Sequence, residues 1–236
     1  MSGLPVRARN DPRQYDDLAG EWWRAHGAFA MLGWIADARI PHIPAVGDGR
    51  NRLLDLACGG GLLAPRLAGR GYRHVGVDLT VSALRQAVDH GVLGVRADVT
   101  QLPFPDESFD VVVAGEILEH VDDFPAVITE ACRVLRPGGT LVIDTIADTW
   151  LARFIAITVG ERIPGGAPPR LHDGALFVDR DRLKAEAARH GVSLRLNGLR
   201  PAVVDYTRWM FGGGERVRMV RTRPTSVLFQ AVGTKA

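Results

Sequence analysis

Apolar residues fall in short unbroken runs through the middle of the chain. Leu53-Leu54-Asp55-Leu56, Val75-Gly76-Val77, Val111-Val112-Val113-Ala114 and Leu141-Val142-Ile143 are the clearest. Runs this short and continuous suit strands buried on both faces. Between them, apolar positions recur at helical spacing. The pattern predicts strands at 52–56, 74–78, 93–97, 109–115 and 140–146, with helices at 62–69, 81–90 and 124–135. Arg136-Pro137-Gly138-Gly139 stops the last of these helices and turns into the fifth strand. Such alternation implies a parallel sheet wound by right-handed crossovers, with its ligand over the carboxyl ends of the strands. Further on, Val178-Asp179 opens a helix that runs to His190 and stops at Gly191. Segments 193–199 and 226–232 read as a final antiparallel pair, joined by a long connector that carries Gly212-Gly213-Gly214.

Two stretches break this rhythm. Between Asp16 and Ile43, Leu18, Trp22, Phe29, Leu32, Trp34 and Ile35 suggest one or two helices lying over the sheet, ended by Pro41 and Pro44. Adjacent Trp22 and Trp23 cannot both face inward on one helix, so one borders a cavity or a partner. After Thr145 comes an apolar segment with few charges, including Trp150, Phe154, Ile155, Ile157 and Ile163. A segment of that kind beyond a strand end either tucks over a substrate or rests on a lipid surface.

Composition narrows the class without deciding it. The chain has 236 residues, 46% hydrophobic and 24% charged, which suits one globular domain with insertions. A net charge of +2 gives no field that argues for nucleic acid, and the run Arg216, Arg218, Arg221 and Arg223 reads as a solvated face or substrate rim. Cys58 and Cys132 match no disulfide or metal spacing, which favours a reducing, cytoplasmic setting. Met1 to Asp11 has no apolar core of signal-peptide length, and no stretch reaches membrane-spanning length.

The chemistry concentrates where the first strand meets Cys58-Gly59-Gly60-Gly61. Glycines there permit positive φ and a close approach of ligand to backbone. Asp55 inside the loop would repel a pyrophosphate and attract a ligand with a free amino group. Asp78 ends the second strand, where such folds bind ribose hydroxyls, and Asp98 ends the third, where an adenine amino group could be met. The alternative is an ordinary Rossmann-like turn for another nucleotide. Acid, triglycine, acid, acid in this order resembles the class I S-adenosylmethionine (SAM) methyltransferases. The resemblance implies a Rossmann-like α/β fold with a seven-stranded, mostly parallel sheet and an antiparallel last strand. It implies a helical cap over 1–45, a methyltransferase domain over 46–236 and an insert at about 147–178.

After the fourth strand comes Glu116-Ile117-Leu118-Glu119-His120. On a helix, positions i, i+3 and i+4 share a face, so both carboxylates and the imidazole would converge. Three readings stay open. The set is a partial shell for a divalent cation, or His120 is a general base alone, or the residues are structural. Tyr15 to Trp23, Asp55 to Gly61, Glu116 to His120, Gly160 to Gly165 and Leu171-His172-Asp173 together resemble the quinone-biosynthesis O-methyltransferases.

That resemblance implies SN2 transfer of the SAM methyl to a hydroxylated, lipophilic small molecule. It implies a divalent metal (Mg, Mn, Zn or Fe) on Glu116, Glu119 and His120, which are also the catalytic candidates, and peripheral membrane contact through residues 149–164. The expected cofactor contacts are Arg39, Asp55, Ala57, Gly59, Gly61, Asp78, Leu79, Asp98, Val99 and Gly115. Arg170-Leu171-His172-Asp173 and residues 205–225 depart from the family pattern, so the acceptor is the least transferable part. Rival readings are an N- or C-methyltransferase of a soluble metabolite, with 149–164 as a lid, and a SAM-binding subunit without turnover. A nicotinamide oxidoreductase is disfavoured by Asp55.

Overall fold

Strand β1 (Asn51–Leu56) pairs in parallel with β2 (Tyr72–Asp78) on one side and β4 (Phe109–Gly115) on the other, so the sheet grows outward from it in both directions. In the computed structural model, which describes residues 7–46, 49–163 and 166–236, the order is β3-β2-β1-β4-β5-β8-β6-β7. Met1–Val6 of the expected cap, and Pro164 and Gly165 beyond the apolar segment, lie outside the described residues. Strands β3 (Leu93–Arg96) and β5 (Leu135–Ile146) extend the parallel half. Strand β8 (Leu228–Thr234) is antiparallel to both β5 and β6 (Arg195–Pro201), and β7 (Met219–Thr222) pairs antiparallel with β6. The sheet therefore has eight strands rather than the expected seven. The additional one is β7, whose sequence Met-Val-Arg-Thr is too short and too polar to announce itself.

Period-2 alternation sorts the strand residues onto two faces. Leu53, Val111, Val113 and Val142 point to one side, where Ala36, Ile43, Leu63 and Leu67 meet them. Leu54, Val112, Leu141 and Ile143 point to the other. That second face is covered by α5 (Phe124–Val134), through Val127 and Ile128, and by α7 (Arg180–Arg189), through Leu183. Each such side chain, fully removed from water, contributes roughly 1.5–3 kcal/mol. Polar side chains fix where the helices begin. Asp123 accepts from the Ala126 amide to cap α5, and Asp179 accepts from the Asp181 and Arg182 amides to cap α7.

The cap consists of α1 (Arg13–Asp17) and α2 (Ala30–Arg39). Helix α3 (Ala64–Leu67) is shorter than its apolar pattern suggests, and α4 (Val81–Asp89) follows β2. Beyond β5, the insert is closed at its neck by Asp148 N–H donating to Val178 O and Val178 N–H donating to Ile146 O. Its first half is α6 (Trp150–Ala152), which runs into a wider π-helical stretch at Arg153–Val159. Between β6 and β7 lies α8 (Val203–Met210), where the sequence had suggested only a connector. No helix among the described residues is long and apolar enough to cross a membrane.

The cap is tied to the sheet by a buried ion pair. Arg39, the last residue of α2, donates from Nε and Nη2 to both oxygens of Asp144 in β5 at 2.6 and 2.7 Å. Gly115 makes room for this crossing, because a Cβ there would lie 2.2 Å from Arg39 Cζ. Replacing one partner strands the other charge, a loss of about 3–5 kcal/mol. Asp144→Ala is expected to lower the unfolding free energy by that amount in urea titrations, with an unchanged m-value.

Candidate active site

The order of the sheet reverses between β1 and β4, which opens a crevice at their carboxyl ends. A cavity of about 500 Å³ occupies it. Of the residues expected from sequence, Arg39, Asp55, Ala57, Gly59, Asp78, Leu79, Asp98, Val99, Gly115, Glu116 and His120 line this cavity. Gly61 and Glu119 are not among the lining residues. Gly61 (φ +79°) instead packs its bare Cα against α4, where a Cβ would stand 2.8 Å from Ala87 Cα. Glu119 is fully buried behind the wall and accepts a 2.6 Å bond from Thr145 Oγ1.

The glycine turn is held from β2. Asp78 accepts from Gly59 N–H at 2.9 Å and from Thr80 N–H at 2.8 Å, so its carboxylate both pins the turn and borders the cavity. Asp98 braces its own loop by accepting from the amide and hydroxyl of Thr100. Asp55, 4% exposed, lies 3.3 Å from His74 Nε2. Cys58 is inert in this setting, since burial beside Asp55 and Asp78 pushes its thiol pKa far up.

Aromatic residues of the cap close the same space, and their part was only half visible in the sequence. The Trp22 indole lies on the turn so closely that a Cβ on Gly59 or Gly60 would stand 2.3 or 2.7 Å from it. Trp22 is buried, while Trp23 is 36% exposed, donates to Gly60 O and stacks on His90. The expected division of the tryptophan pair is therefore present. The glycines, however, are required first by a neighbouring side chain. Phe29 stacks on Trp22 at 4.3 Å between ring centres, and Tyr15 stacks on both.

Glu116 to His120 do not form the expected helix. Glu116 takes a left-handed backbone (φ +54°), and only Leu118–His120 makes a single 3-10 turn. The two carboxylates and the imidazole consequently do not gather on one helical face. Among the described residues, no three His, Cys, Asp or Glu side chains stand close enough to hold one metal ion. Glu116 Oε1 and Glu119 Oε1 are both buried without a hydrogen-bond partner. Burial, followed for Glu116 by the charges of Glu119 and Asp144, raises the pKa of both carboxyls.

Burial also pushes the His120 imidazole down to about 3. Its Nδ1 lies 2.6 Å from Asn10 Oδ1, and its Nε2 lies 3.4 Å from the Tyr15 hydroxyl. His172 stacks on His120 at 5.4 Å, is held down to about 4 by burial, and keeps Nδ1 buried and unpartnered. Asn10, Tyr15, Trp22 and His172 line the cavity without having been assigned a role from sequence. Their signal was confined to the tyrosine and tryptophan spacing and to Leu171-His172-Asp173, and nothing marked Asn10.

A family model described as a methyltransferase domain matches residues 54–143. The chain is 30% identical over 209 residues to the mitochondrial ubiquinone biosynthesis O-methyltransferase of Bos taurus, covering 79% of this chain and 56% of that protein. It thus spans little more than half the length of that relative. It is 34% identical over 185 residues to the ubiquinone biosynthesis O-methyltransferase of Hahella chejuensis, covering 75% of this chain and 77% of that one. A possible histamine N-methyltransferase from Thermotoga maritima shares the fold with a TM-score of 0.66 at 20% identity, over 95% of this chain and 97% of its own. A SAM-dependent methyltransferase from Archaeoglobus fulgidus does so with 0.61 at 16%, over 89% and 95%. At the identity and coverage reached with the Hahella protein, the chain belongs to the family of the ubiquinone biosynthesis O-methyltransferases.

Proposed function

We propose that this chain is a SAM-dependent O-methyltransferase that methylates a ring hydroxyl of a lipophilic, quinone-precursor-like aromatic. The observation that carries the reading is one shared cavity. It holds the acid and glycine corner at the ends of β1 and β2, the neutral imidazole of His120 and an apolar aromatic roof. Asp78 meets the ribose hydroxyls of SAM, Asp98 the adenine, and Asp55 and Arg39 the two ends of its amino-acid part. SAM brings a methyl group on a sulfonium that is already a good leaving group, so the chain has to align donor and acceptor and remove a proton.

The direction of the His120 shift bears on when that proton moves. A phenol ionises near pH 10, well above an imidazole whose pKa burial has lowered. Moving the proton fully to His120 before methyl transfer is therefore uphill. The proton therefore leaves while the oxygen–carbon bond forms and the oxygen turns strongly acidic, a transfer that a weak buried base can accept.

A second reading adds a divalent cation, favoured by the two unpartnered carboxyl oxygens. Oxygens with open lone pairs and a neutral imidazole suit such an ion chemically, although the three side chains are not assembled round one point. Glu116, Glu119 and His120 would hold it, and a cation there would lower the hydroxyl's pKa as a Lewis acid.

The insert supports peripheral membrane contact. Trp150, Phe154 and Ile155 are 77%, 51% and 40% exposed, so residues 149–163 turn their largest apolar side chains outward. The cavity is met instead by the later part of the insert, Gly166 to Pro168 with Leu171 and His172. An outward apolar face flanked by arginine is suited to a bilayer surface.

Three measurements test these assignments. Asp78→Asn keeps one acceptor for the turn but loses the charge, and calorimetry is expected to show SAM affinity reduced about 10- to 100-fold. Unchanged affinity would mean the ribose site is elsewhere. Against a panel of polyprenylated hydroxyphenols, mass spectrometry should find SAM-dependent addition of one methyl to oxygen. Product on nitrogen or carbon would reject the main reading, and full activity after thorough chelation would reject the cation. In flotation with anionic vesicles the wild-type chain is expected to rise, and the Trp150→Glu, Phe154→Glu double variant to stay behind. A wild-type chain that also stays behind would leave the insert without a lipid role.

A further inference from the structure

Asn10 lies three residues before α1, with a left-handed backbone (φ +55°) that is fixed by its own N–H donating to Arg170 O at 3.1 Å. Both ends of its side chain meet one residue. Nδ2 donates to the backbone carbonyl of His120 at 3.0 Å, and Oδ1 lies 2.6 Å from Nδ1 of the same imidazole. The two ends of a primary amide are not interchangeable, since its nitrogen only donates and its oxygen only accepts. The His120 carbonyl can only accept, so it must face Nδ2. Oδ1 is then left for the ring, and Nδ1 must carry the hydrogen.

The half-buried ring has a neutral amide at Nδ1 and a neutral phenol at Nε2, with no anion at either nitrogen to hold a second proton, so it carries a single N–H. Its lone pair therefore resides on Nε2. At that nitrogen stands the Tyr15 hydroxyl, at 3.4 Å and able to donate. Both residues line the cavity, as Asn10 itself does.

We propose that Asn10 is a positioning residue for methyl transfer: it fixes His120 as the Nδ1–H tautomer and so keeps the Nε2 lone pair, which the Tyr15 hydroxyl faces, available to the acceptor hydroxyl. The inference rests on the reading of His120 given above, and an unprotonated Nε2 is what both a proton and a cation require. In the transfer itself, an oxygen lone pair forms the bond to the methyl carbon and the carbon–sulfur pair returns to sulfur. The hydroxyl proton passes to Nε2. The resulting imidazolium keeps its Nδ1–H bond to Asn10 Oδ1, now charge-assisted and stronger, until the proton leaves to solvent. A ring without this partner is free to place its hydrogen on Nε2, where it blocks the hydroxyl instead of accepting from it.

The same amide also holds the segment before α1 against the 3-10 turn, so a purely structural role has to be separable. The readout is the tautomer of His120 in full-length protein labelled with ¹⁵N-histidine, assigned with His120→Gln and followed by long-range ¹H–¹⁵N correlation. The wild type is expected to give the Nδ1–H pattern. Asn10→Ala should show a mixed or Nε2–H pattern, with kcat down about 10- to 100-fold and KM for SAM and acceptor within about twofold. Asn10→Asp keeps an acceptor for Nδ1–H and should retain the wild-type tautomer, with kcat closer to wild type than Asn10→Ala. An unchanged tautomer in folded Asn10→Ala overturns the proposal whatever happens to its thermal stability. A switched tautomer with unchanged kcat leaves the hold on the ring in place, but overturns the positioning role together with His120 as proton acceptor.

Discussion

The contact on which the site depends is an indole laid flat on two glycines. Trp22 occupies the space that side chains on Gly59 and Gly60 would need, and Trp23 grips the same turn from outside through Gly60 O. The glycine turn and the cap are therefore one construction rather than a scaffold and an accessory. With Trp22 in place, Phe29 and Tyr15 stack in sequence, and the stack delivers the Tyr15 hydroxyl to His120. A larger residue in the turn would dislodge the roof before it disturbed any ligand.

Charge is the second organising term. Around the carboxyl ends of β4 and β5, three carboxyl groups (Glu116, Glu119 and Asp144) share one guanidinium, Arg39. Burial makes that imbalance expensive and raises the pKa of Glu116 and Glu119. Asp55 and Asp78 add to the same sign a strand away. A site built in this way favours a ligand that arrives with positive charge, which a sulfonium does and a pyrophosphate does not.

The parallel half of the sheet was legible because strands buried on both faces have to be apolar throughout, as Val111 to Ala114 are. The C-terminal half was less so. Strand β7 sits at the edge of the sheet with two of its four residues exposed, and α8 turns Val203 and Val204 to solvent while burying Trp209, so the apolar residues of neither mark a core face in the sequence. The acids at the cavity could be picked out because each stands within two residues of a strand end: Asp55 is the second-last residue of β1, Asp78 the last of β2, and Asp98 lies two beyond β3. Glu116 could not be placed in the same way: its left-handed backbone is set by the turn out of β4, which undoes the helical spacing assumed for Glu119 and His120. Asn10 meets His120 across 110 positions of chain, and no local pattern signals a partner that distant.

Helix α8 carries a consequence of its own. Trp209 donates to Ala25 O, stacks on His26 and meets Trp34 edge to face, so the segment between β6 and β7 buttresses the cap from behind. A change in this segment thereby reaches the roof of the cavity although none of its residues lines that cavity. A chimera that exchanged residues 205–225 for those of a relative, but kept the first forty, would inherit a roof cut for a different wall.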